Sequence, residues 1–543
     1  MILSKTAGGV LPRRMAIGFL SNVQSLSSQY LTFSALCLGI ILPRLVTINF
    51  DVFNVDEAVY LLIGRAWRFG ALPYVDIVDR KPLGLYFISG FADAIASNAI
   101  IGARALGIVS TLATAWLLLS IGVRYLRLTK SAAHVAALLY ASFALLFGGD
   151  TIEAPVYYAP FLVGAAYLIM VEIERIKNSY SPSVWRAAFV GLLLGITFQI
   201  KYVTGAEATA FAIAYLIAGW STRNTPGLKL QSFVAAAVMT VVSIMPLVAS
   251  YCVYALKGYG EEFIFYVFTS NFSREVNDAH PSTLMRRIGM LTIFMLPLLL
   301  MAGDYVRRAR RQEGKEDPEK WVVIFLVSWA IAALASAIAQ MQFYDNNFYP
   351  MLMPLALLAG AELAKLFSRN TWRYCLAACA AISLALAGYA YIRIKDVLHN
   401  GSPHLLSRIA AGLVEGGVSS LYVFNYHTLL HAKARLPLLT KFPLASHLTR
   451  DLEARSFRID GAAEISRIVD TNPQAVVVVK PWVDIPIDRQ MIVQKKLESD
   501  YCLWRTYDAG RGDVEIFISR AANITAASEA CENPLVPHSR FEG

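Results

Sequence analysis

The chain has 543 residues, 56% of them hydrophobic and only 16% charged, with a formal net charge of +10 and a mean hydropathy of +0.49. Soluble domains carry about a quarter charged residues, so this composition excludes a protein that is soluble throughout. No basic stripe interleaved with aromatics is present, which sets nucleic acid aside; in a membrane protein the excess Lys and Arg belong in cytoplasmic loops.

Residues 1–30 hold Arg13 and Arg14, a short apolar hexamer and then polar residues. They make a poor signal peptide, with no small-residue cleavage site after the next apolar run. They read as a cytoplasmic N-terminus ahead of an uncleaved anchor. Apolar runs that approach the ~20 residues of a span fall at 31–48, 100–122, 131–148, 156–173, 186–202, 205–219, 231–255, 286–303, 320–340, 348–366 and 373–391. The expected architecture is therefore a polytopic α-helical membrane protein of about eleven spans, by the apolar-run rule. Residues 83–97 are apolar but short, which favours an interfacial helix. No internal repeat is visible.

The loops alternate in charge. One set holds Arg124, Arg127 and Lys130, then Arg175, Lys177 and Arg186, then Arg307, Arg308, Arg310 and Arg311; the other holds Asp51, Asp56, Glu57, Asp76, Asp79, Asp150, Glu153 and Asp345. The basic set is expected in the cytoplasm. That places the acid-rich first loop, residues 49–99, on the outside, as part of a membrane domain covering 31–392. An odd number of spans puts residues 393–543 outside as well, and the pattern there becomes that of a soluble α/β domain. "AAEISRIVDTNPQAVVVVKPW" reads as a helix, a turn and a buried strand at Ala475–Val479; "SSLYVFN" and "DVEIFIS" are two more strand candidates. Cys37, Cys252, Cys375 and Cys379 lie in spans, where a free Cys packs as a small apolar residue. Cys502 and Cys531 are either a disulfide, in an oxidising compartment, or two thiols.

The first external loop, "NVDEAVYLLIGRAWRFGALPYVDIVDRKPLG", carries the chemistry. Asp56 and Glu57 open a helix-compatible run that Gly70 ends. Lys81 precedes Pro82, so it is pushed into an extended shape just before a helix that proline can start. A cation beside free helix N–H groups is an anion site, and phosphate is the usual guest. Acids next to a phosphate site at the outer membrane surface suggest transfer from a lipid-linked phosphate donor.

This loop, "DEAVYLLIGRAW…G…PYVDIVDRKPLGLYF", resembles the first external loop of the membrane-embedded GT-C glycosyltransferases. Within them it is similar to the branch of protein O-mannosyltransferases, lipid A aminoarabinose transferases and rhizobial galacturonosyltransferases. The likeness extends over roughly 30–365, in the order "ARALGIVSTLATAWLLL", "DTIEAPVYYAPFLVGAAYL", "GITFQIKY" and "YDNNFYPMLMPLALLAGAEL". One departure is Leu83, where the branch repeats proline. The resemblance implies a sugar donor on a polyprenyl phosphate, a single inverting displacement by an acceptor hydroxyl, and no cofactor. Asp56 matches the family's base, and Glu153 its second acid. Cations must steady the leaving phosphate, with Lys81 first, then Arg274 and Lys201. Glu57, Asp79, Asp150, Tyr344, Asn347 and Tyr349 complete the expected pocket. No metal is expected, although the external acids could hold a divalent cation. The acceptor is a lipid-linked glycan, lipid A or protein, and the setting is the periplasmic face of a bacterial inner membrane.

Each residue has a plainer alternative. Asp56 suits a helix cap, and Glu57 is better explained structurally than catalytically. Asp76 and Asp79 could pair with Arg80 in a solvated loop. Lys81, Lys201 and Arg44 could snorkel to head groups. Asp150 and Glu153 could form a loop rim, and Tyr344 to Tyr349 an aromatic belt. A transporter or flippase predicts midplane charges and repeated broken helices; an O-antigen polymerase or ligase predicts its main loop late in the chain; a scaffold predicts indifference to Asp56.

Overall fold

The computed structural model describes residues 32–51, 55–221, 226–273, 281–311, 320–340, 343–366, 371–510 and 512–532. The expected N-terminal segment 1–30, and Arg274, lie outside the described residues. Helices form at Thr32–Leu45 (α1), Val55–Arg68 (α2), Leu83–Ile95 (α3), Ala99–Tyr125 (α4), Lys130–Ala144 (α5), Ala154–Lys177 (α6), Val184–Ile200 (α7), Gly205–Ser221 (α8) and Pro226–Leu256 (α9). Further long helices follow at Pro281–Arg311, Lys320–Ala339, Leu352–Leu366 and Thr371–Asn400. Each of the eleven expected runs coincides with one of these. Among the described residues, eight helices are long and apolar enough to cross a membrane, and the chain is a multi-pass membrane protein.

Two helices outside this set, α2 and α3, set the stage for the site. The apolar side of α2 is buried from Ala58 to Ile63, and its last turn carries Arg65 and Arg68. Those arginines pair with Asp93 of α3 at 3.2 and 2.7 Å. Phe69, Phe87, Phe91 and Ile95 stay exposed, as expected of helices lying along a bilayer surface. The α2–α3 contact depends on glycine: a Cβ on Gly64 would sit 2.5 Å from the Gly90 nitrogen. Likewise a Cβ on Gly84 would overlap the Gln199 carbonyl at the end of α7. The residue that follows Pro82 and Leu83 is thus what lets the start of α3 press against α7.

Buried ion pairs lock the outer loops. Glu57 is fully buried and meets the Arg104 guanidinium at 3.2 Å, while the Ile152 N–H donates to its other oxygen at 2.9 Å. Arg104 also donates to the carbonyls of Thr47 and Phe50 at 2.8 Å each. Asp150 accepts from Arg393 (2.5 and 3.0 Å), from the Tyr389 hydroxyl (2.8 Å) and from Thr47 (3.0 Å). The Asp150 carboxyl is held below its usual range, because Arg393 outweighs the cost of burial. Truncating one member of such a pair leaves the other charge buried and costs about 3–5 kcal/mol.

Beyond Thr371–Asn400 the chain forms a small domain with a four-stranded sheet in the order β1-β2-β4-β3. Its strands are Leu421–Val423 (β1), Ala475–Lys480 (β2), Tyr501–Asp508 (β3) and Asp513–Ser519 (β4). β1 runs parallel to β2, and β4 is antiparallel to both neighbours. The all-valine centre of β2, fully buried from Ala475 to Val478, suits an interior strand covered on both faces. Cys502 and Cys531 are joined in a disulfide with Cα atoms 5.5 Å apart, tying β3 to the last described turn. The domain grips the first loop through charged side chains and, at Val78, through a backbone hydrogen bond from its N–H to the Lys441 carbonyl. Asp51 accepts from the Ser407 N–H (2.9 Å) and pairs with Lys433 (2.8 Å). Arg80 pairs with Glu453 at 2.7 Å, bonds to the Ser456 hydroxyl, and lies 4.2 Å over the Phe457 ring.

Candidate active site

Asp56 is the second residue of α2, in the first turn, where the helix dipole favours a carboxylate. Its only hydrogen bond among the described residues comes from the Tyr60 hydroxyl one turn later, at 3.2 Å. Burial, and then the charge of Asp56, push the Tyr60 phenol well above its ordinary range. Tyr60 therefore keeps its proton and remains a donor. Its ring also faces the Lys81 ammonium, 5.9 Å from the centroid. One tyrosine thus touches both the carboxylate and the cation that the sequence singled out. The i, i+4 spacing from Asp56 was the signal for it.

Lys81 is held by its backbone. Its N–H donates to the Tyr86 hydroxyl at 3.1 Å, and its carbonyl accepts from the Tyr74 hydroxyl at 2.6 Å. Tyr86 in turn donates to Asp79 at 2.8 Å. Tyr74 is buried at a positive φ of 67°, among the rings of Tyr86, Tyr254, Phe263 and Tyr266. A non-glycine residue there costs about 1–3 kcal/mol, which the aromatic packing must offset. While the backbone is fixed in this way, the Lys81 ammonium makes no ion pair and no hydrogen bond among the described residues. It is a partly buried cation next to the first turn of α3, whose N-cap, Pro82, supplies no side-chain cap.

Glu153 and Lys201 close the group. Glu153 precedes α6, and its carboxylate accepts from the Asn346 amide at 2.7 Å. Burial, then the charge of Asp56, push the Glu153 carboxyl up to about 7, with Lys81 and Lys201 pulling the other way. Lys201 sits where α7 stops and the chain turns into α8, in extended backbone with φ −158°. Its ammonium donates to the Asn347 side-chain oxygen at 2.8 Å. Burial, then the charge of Lys81, push its amine down, and Glu153 and Asp56 pull it back up. Tyr60 thus links Asp56 to Lys81, and the adjacent Asn346 and Asn347 link Glu153 to Lys201.

Glu207, in the first turn of α8, was not foreseen. It is fully buried, and neither carboxylate oxygen has a hydrogen-bond partner among the described residues. A lone acid embedded in a run as apolar as "YVTGAEATAFAIAYLIAG" was the available signal.

Several expectations need correction. Glu57 and Asp150, read as pocket residues, have their carboxylates committed to Arg104 and Arg393 as described above. Tyr349 is buried in the core, its hydroxyl 2.8 Å from that of Tyr140. Asp79 acts on Lys81 through Tyr86 rather than facing the open space. Arg80 pairs with the C-terminal domain, not with Asp76 or Asp79. Arg44 and Lys201 do not snorkel: both are buried, and Arg44 donates to the carbonyls of Gly149, Ile40 and Ala141 at 3.0 Å each. Tyr344 is exposed with the Arg287 guanidinium 5.0 Å over its ring. Among the described residues, no three His, Cys, Asp or Glu side chains gather as a metal ion would require.

A multi-span membrane domain followed by a small α/β domain at the C-terminus is a GT-C-like fold. Solved structures of that class share it: ArnT, the lipid A aminoarabinose transferase, from Cupriavidus metallidurans, superposes with a TM-score of 0.60 in the apo state. That match covers 93% of this chain and 99% of that one, at 13% identity. The same enzyme bound to undecaprenyl phosphate matches with a TM-score of 0.58 at 13% identity, over 90% of this chain and 98% of that one. The Archaeoglobus fulgidus oligosaccharyltransferase tethered to an acceptor peptide matches with a TM-score of 0.50 at 12% identity, over 93% of this chain and 77% of that one. No family model and no curated protein matches the chain in sequence.

Proposed function

We propose that the protein is a glycosyltransferase that moves a sugar from a polyprenyl-phosphate donor to an acceptor hydroxyl, with inversion. The observation that carries this reading is that Tyr60 contacts both Asp56 and the Lys81 ammonium, which is unpaired among the described residues. In the proposed reaction the acceptor oxygen attacks the anomeric carbon, and its proton passes to Asp56. The sugar–oxygen bond to the phosphate breaks, and the leaving phosphate gains one negative charge. Lys81 and Lys201 face that charge, with Arg274 as a third candidate, and no acid need protonate it. Tyr60 holds the Asp56 carboxylate in place, while Asn347 holds Lys201. Glu153 orients the acceptor or balances the lysines. ArnT with undecaprenyl phosphate supports a lipid-phosphate donor by likeness of fold.

The reading divides the chain into a membrane catalytic domain at 31–392 and a periplasmic domain at 393–543. The alternation of basic and acidic loops supports a bacterial inner membrane, with the chemistry on its outer side. The test is to compare glycan and lipid A mass spectra of cells lacking the gene, complemented with wild type or with Asp56→Asn. Loss of one sugar mass that wild type alone restores is the expected result. An unchanged glycan profile in the deletion would refute glycosyl transfer.

A further inference from the structure

Glu207 stands alone in an otherwise apolar helix, and the transfer chemistry above gives it no task. It lies in the first turn of α8, within the candidate span Tyr202–Ser221. Its side chain is fully buried without a hydrogen-bond partner among the described residues. Both protonation states of such a group need one: a carboxylate needs a donor or a cation, and a carboxylic acid needs an acceptor. Acids inside a membrane accordingly pair with a neighbour.

α6, α9 and Lys320–Ala339 pack on α8. α9 has no ionisable side chain between Lys229 and Tyr251, and Lys320–Ala339 has none after Lys320. α6 brings Tyr158, which lies within reach of the Glu207 charge. Among the described residues, the one cation that acts on Glu207 is Lys201, where α7 ends.

A short, fixed piece of chain joins the two. From Lys201 the backbone makes one 3-10 turn, Tyr202–Thr204, and enters α8 at Gly205. At ~2.0 Å per residue in the turn and ~1.5 Å in the helix, their Cα atoms are at most about 12 Å apart. A lysine on its four-carbon stem and a glutamate can close that distance end to end. The turn itself is pinned. The Lys201 N–H donates to the Thr197 carbonyl (2.8 Å), the Thr204 hydroxyl to the Lys201 carbonyl (3.0 Å) and the Ser336 hydroxyl to the Val203 carbonyl (2.9 Å). What can move is the lysine side chain, whose ammonium rests on a neutral acceptor, the Asn347 oxygen.

We propose that Glu207 is the second seat of the Lys201 ammonium: with no lipid phosphate bound, the side chain swings from Asn347 to the Glu207 carboxylate, and an arriving phosphate draws it back. Glu207 is then a positioning residue, which keeps a buried lysine charged between turnovers and does not touch the donor. The inference rests on the glycosyl-transfer reading for the task of Lys201, and adds what holds that lysine while the donor is away. The other charged groups that act on Lys201, Asp56, Glu153 and Lys81, stay the same in every variant of the test.

The test uses the full chain in phosphatidylcholine nanodiscs. Infrared spectra of the donor-free protein, carrying isotope-labelled glutamate, are compared for wild type, Glu207→Gln and Lys201→Met. The band lost in Glu207→Gln should be that of an ionised carboxylate at neutral pH, and in Lys201→Met it should become that of a protonated carboxyl. Adding undecaprenyl phosphate to wild type should shift the same band, because the ammonium leaves it. Undecaprenyl phosphate binding is then followed against pH, the ligand's own titration being common to all variants. Glu207 is one of the acids that pull the Lys201 amine up, so without it the proton leaves at lower pH. The decline in affinity should therefore begin about one unit lower in Glu207→Gln. In a Lys201→Arg background, where the guanidinium keeps its charge, Glu207→Gln should leave the curve in place. A protonated Glu207 in donor-free wild type, a band indifferent to Lys201→Met or to undecaprenyl phosphate, or an unshifted binding curve in Glu207→Gln would overturn the proposal. If the band responds to Lys201→Met but wild type binds no undecaprenyl phosphate, the donor assignment fails and the Lys201–Glu207 pair stands without it.

Discussion

Replacing Asp56 with Asn separates a base from a cap. The amide keeps the size of the side chain and an oxygen for the Tyr60 hydroxyl, 3.2 Å away in the wild type. Asn is as good as Asp at a helix start, so stability should change by less than about 0.5 kcal/mol. What disappears is the ability to take a proton from the acceptor. Positioned bases contribute about 10²–10⁴-fold, which corresponds to a barrier increase of about 2.7–5.5 kcal/mol. The electrostatic hold on the leaving phosphate is intact, because Lys81 and Lys201 are untouched. The expected result is therefore a kcat lowered by about 10²–10⁴-fold with donor affinity preserved, or slightly raised by removal of a negative charge. The assay is transfer by the purified enzyme in nanodiscs, with undecaprenyl phosphate binding measured in parallel. A kcat within threefold of wild type, in a variant that binds donor normally, would refute Asp56 as the base. Glu153→Gln would then be the next variant, since Glu153 is the other carboxylate of the group.

Lys81→Met should raise the donor KM and lower kcat together, and Lys81→Arg should recover part of the loss; rates equal to wild type in the Met variant would rule out a phosphate contact. The Lys201 amine is pushed down by burial. Donor affinity should therefore decline as rising pH removes its proton, and Lys201→Arg, whose guanidinium keeps its charge, should move that decline to higher pH. A profile identical to wild type in this variant would exclude Lys201 as the titrating group. Cys502→Ser/Cys531→Ser opens a loop with a sequence separation of 29. Loop-closure entropy puts the loss at about 3–4 kcal/mol, seen as a lower unfolding midpoint for the C-terminal domain than in wild type, a difference that dithiothreitol treatment of the wild type should abolish.

The parts of the fold that were legible are those set by long-range composition. A run such as "WVVIFLVSWAIAALASAIA" admits no other reading than an apolar helix, and all eleven such runs became helices. β2 was legible because four consecutive valines need cover on both faces. β3 was missed: "YCLWRTYD" follows the helix Ile487–Asp500 without a turn signal, and its half-buried alternation is weak. In the site, residues tied to local backbone rules were readable. Pro82 fixes where α3 starts, and so where Lys81 stands. Partners distant in sequence were not. Nothing around Asp150 announces Arg393, which lies 243 residues away, and an acid bound in that way looks like any other loop carboxylate. Tyr74 was invisible for the same reason, since its role depends on rings brought in from α9 and the segment after it.

Arg80 and Lys81 are consecutive, yet they belong to different halves of the molecule. The guanidinium of Arg80 ends among Glu453, Ser456 and Phe457, and the ammonium of Lys81 lies 5.9 Å from the Tyr60 ring. One peptide unit is therefore the seam between the membrane-embedded part and the C-terminal domain. Cutting away the tail would not yield a smaller enzyme with its reaction intact. It would strip Glu453, Ser456 and Phe457 from the Arg80 guanidinium, one residue away from Lys81.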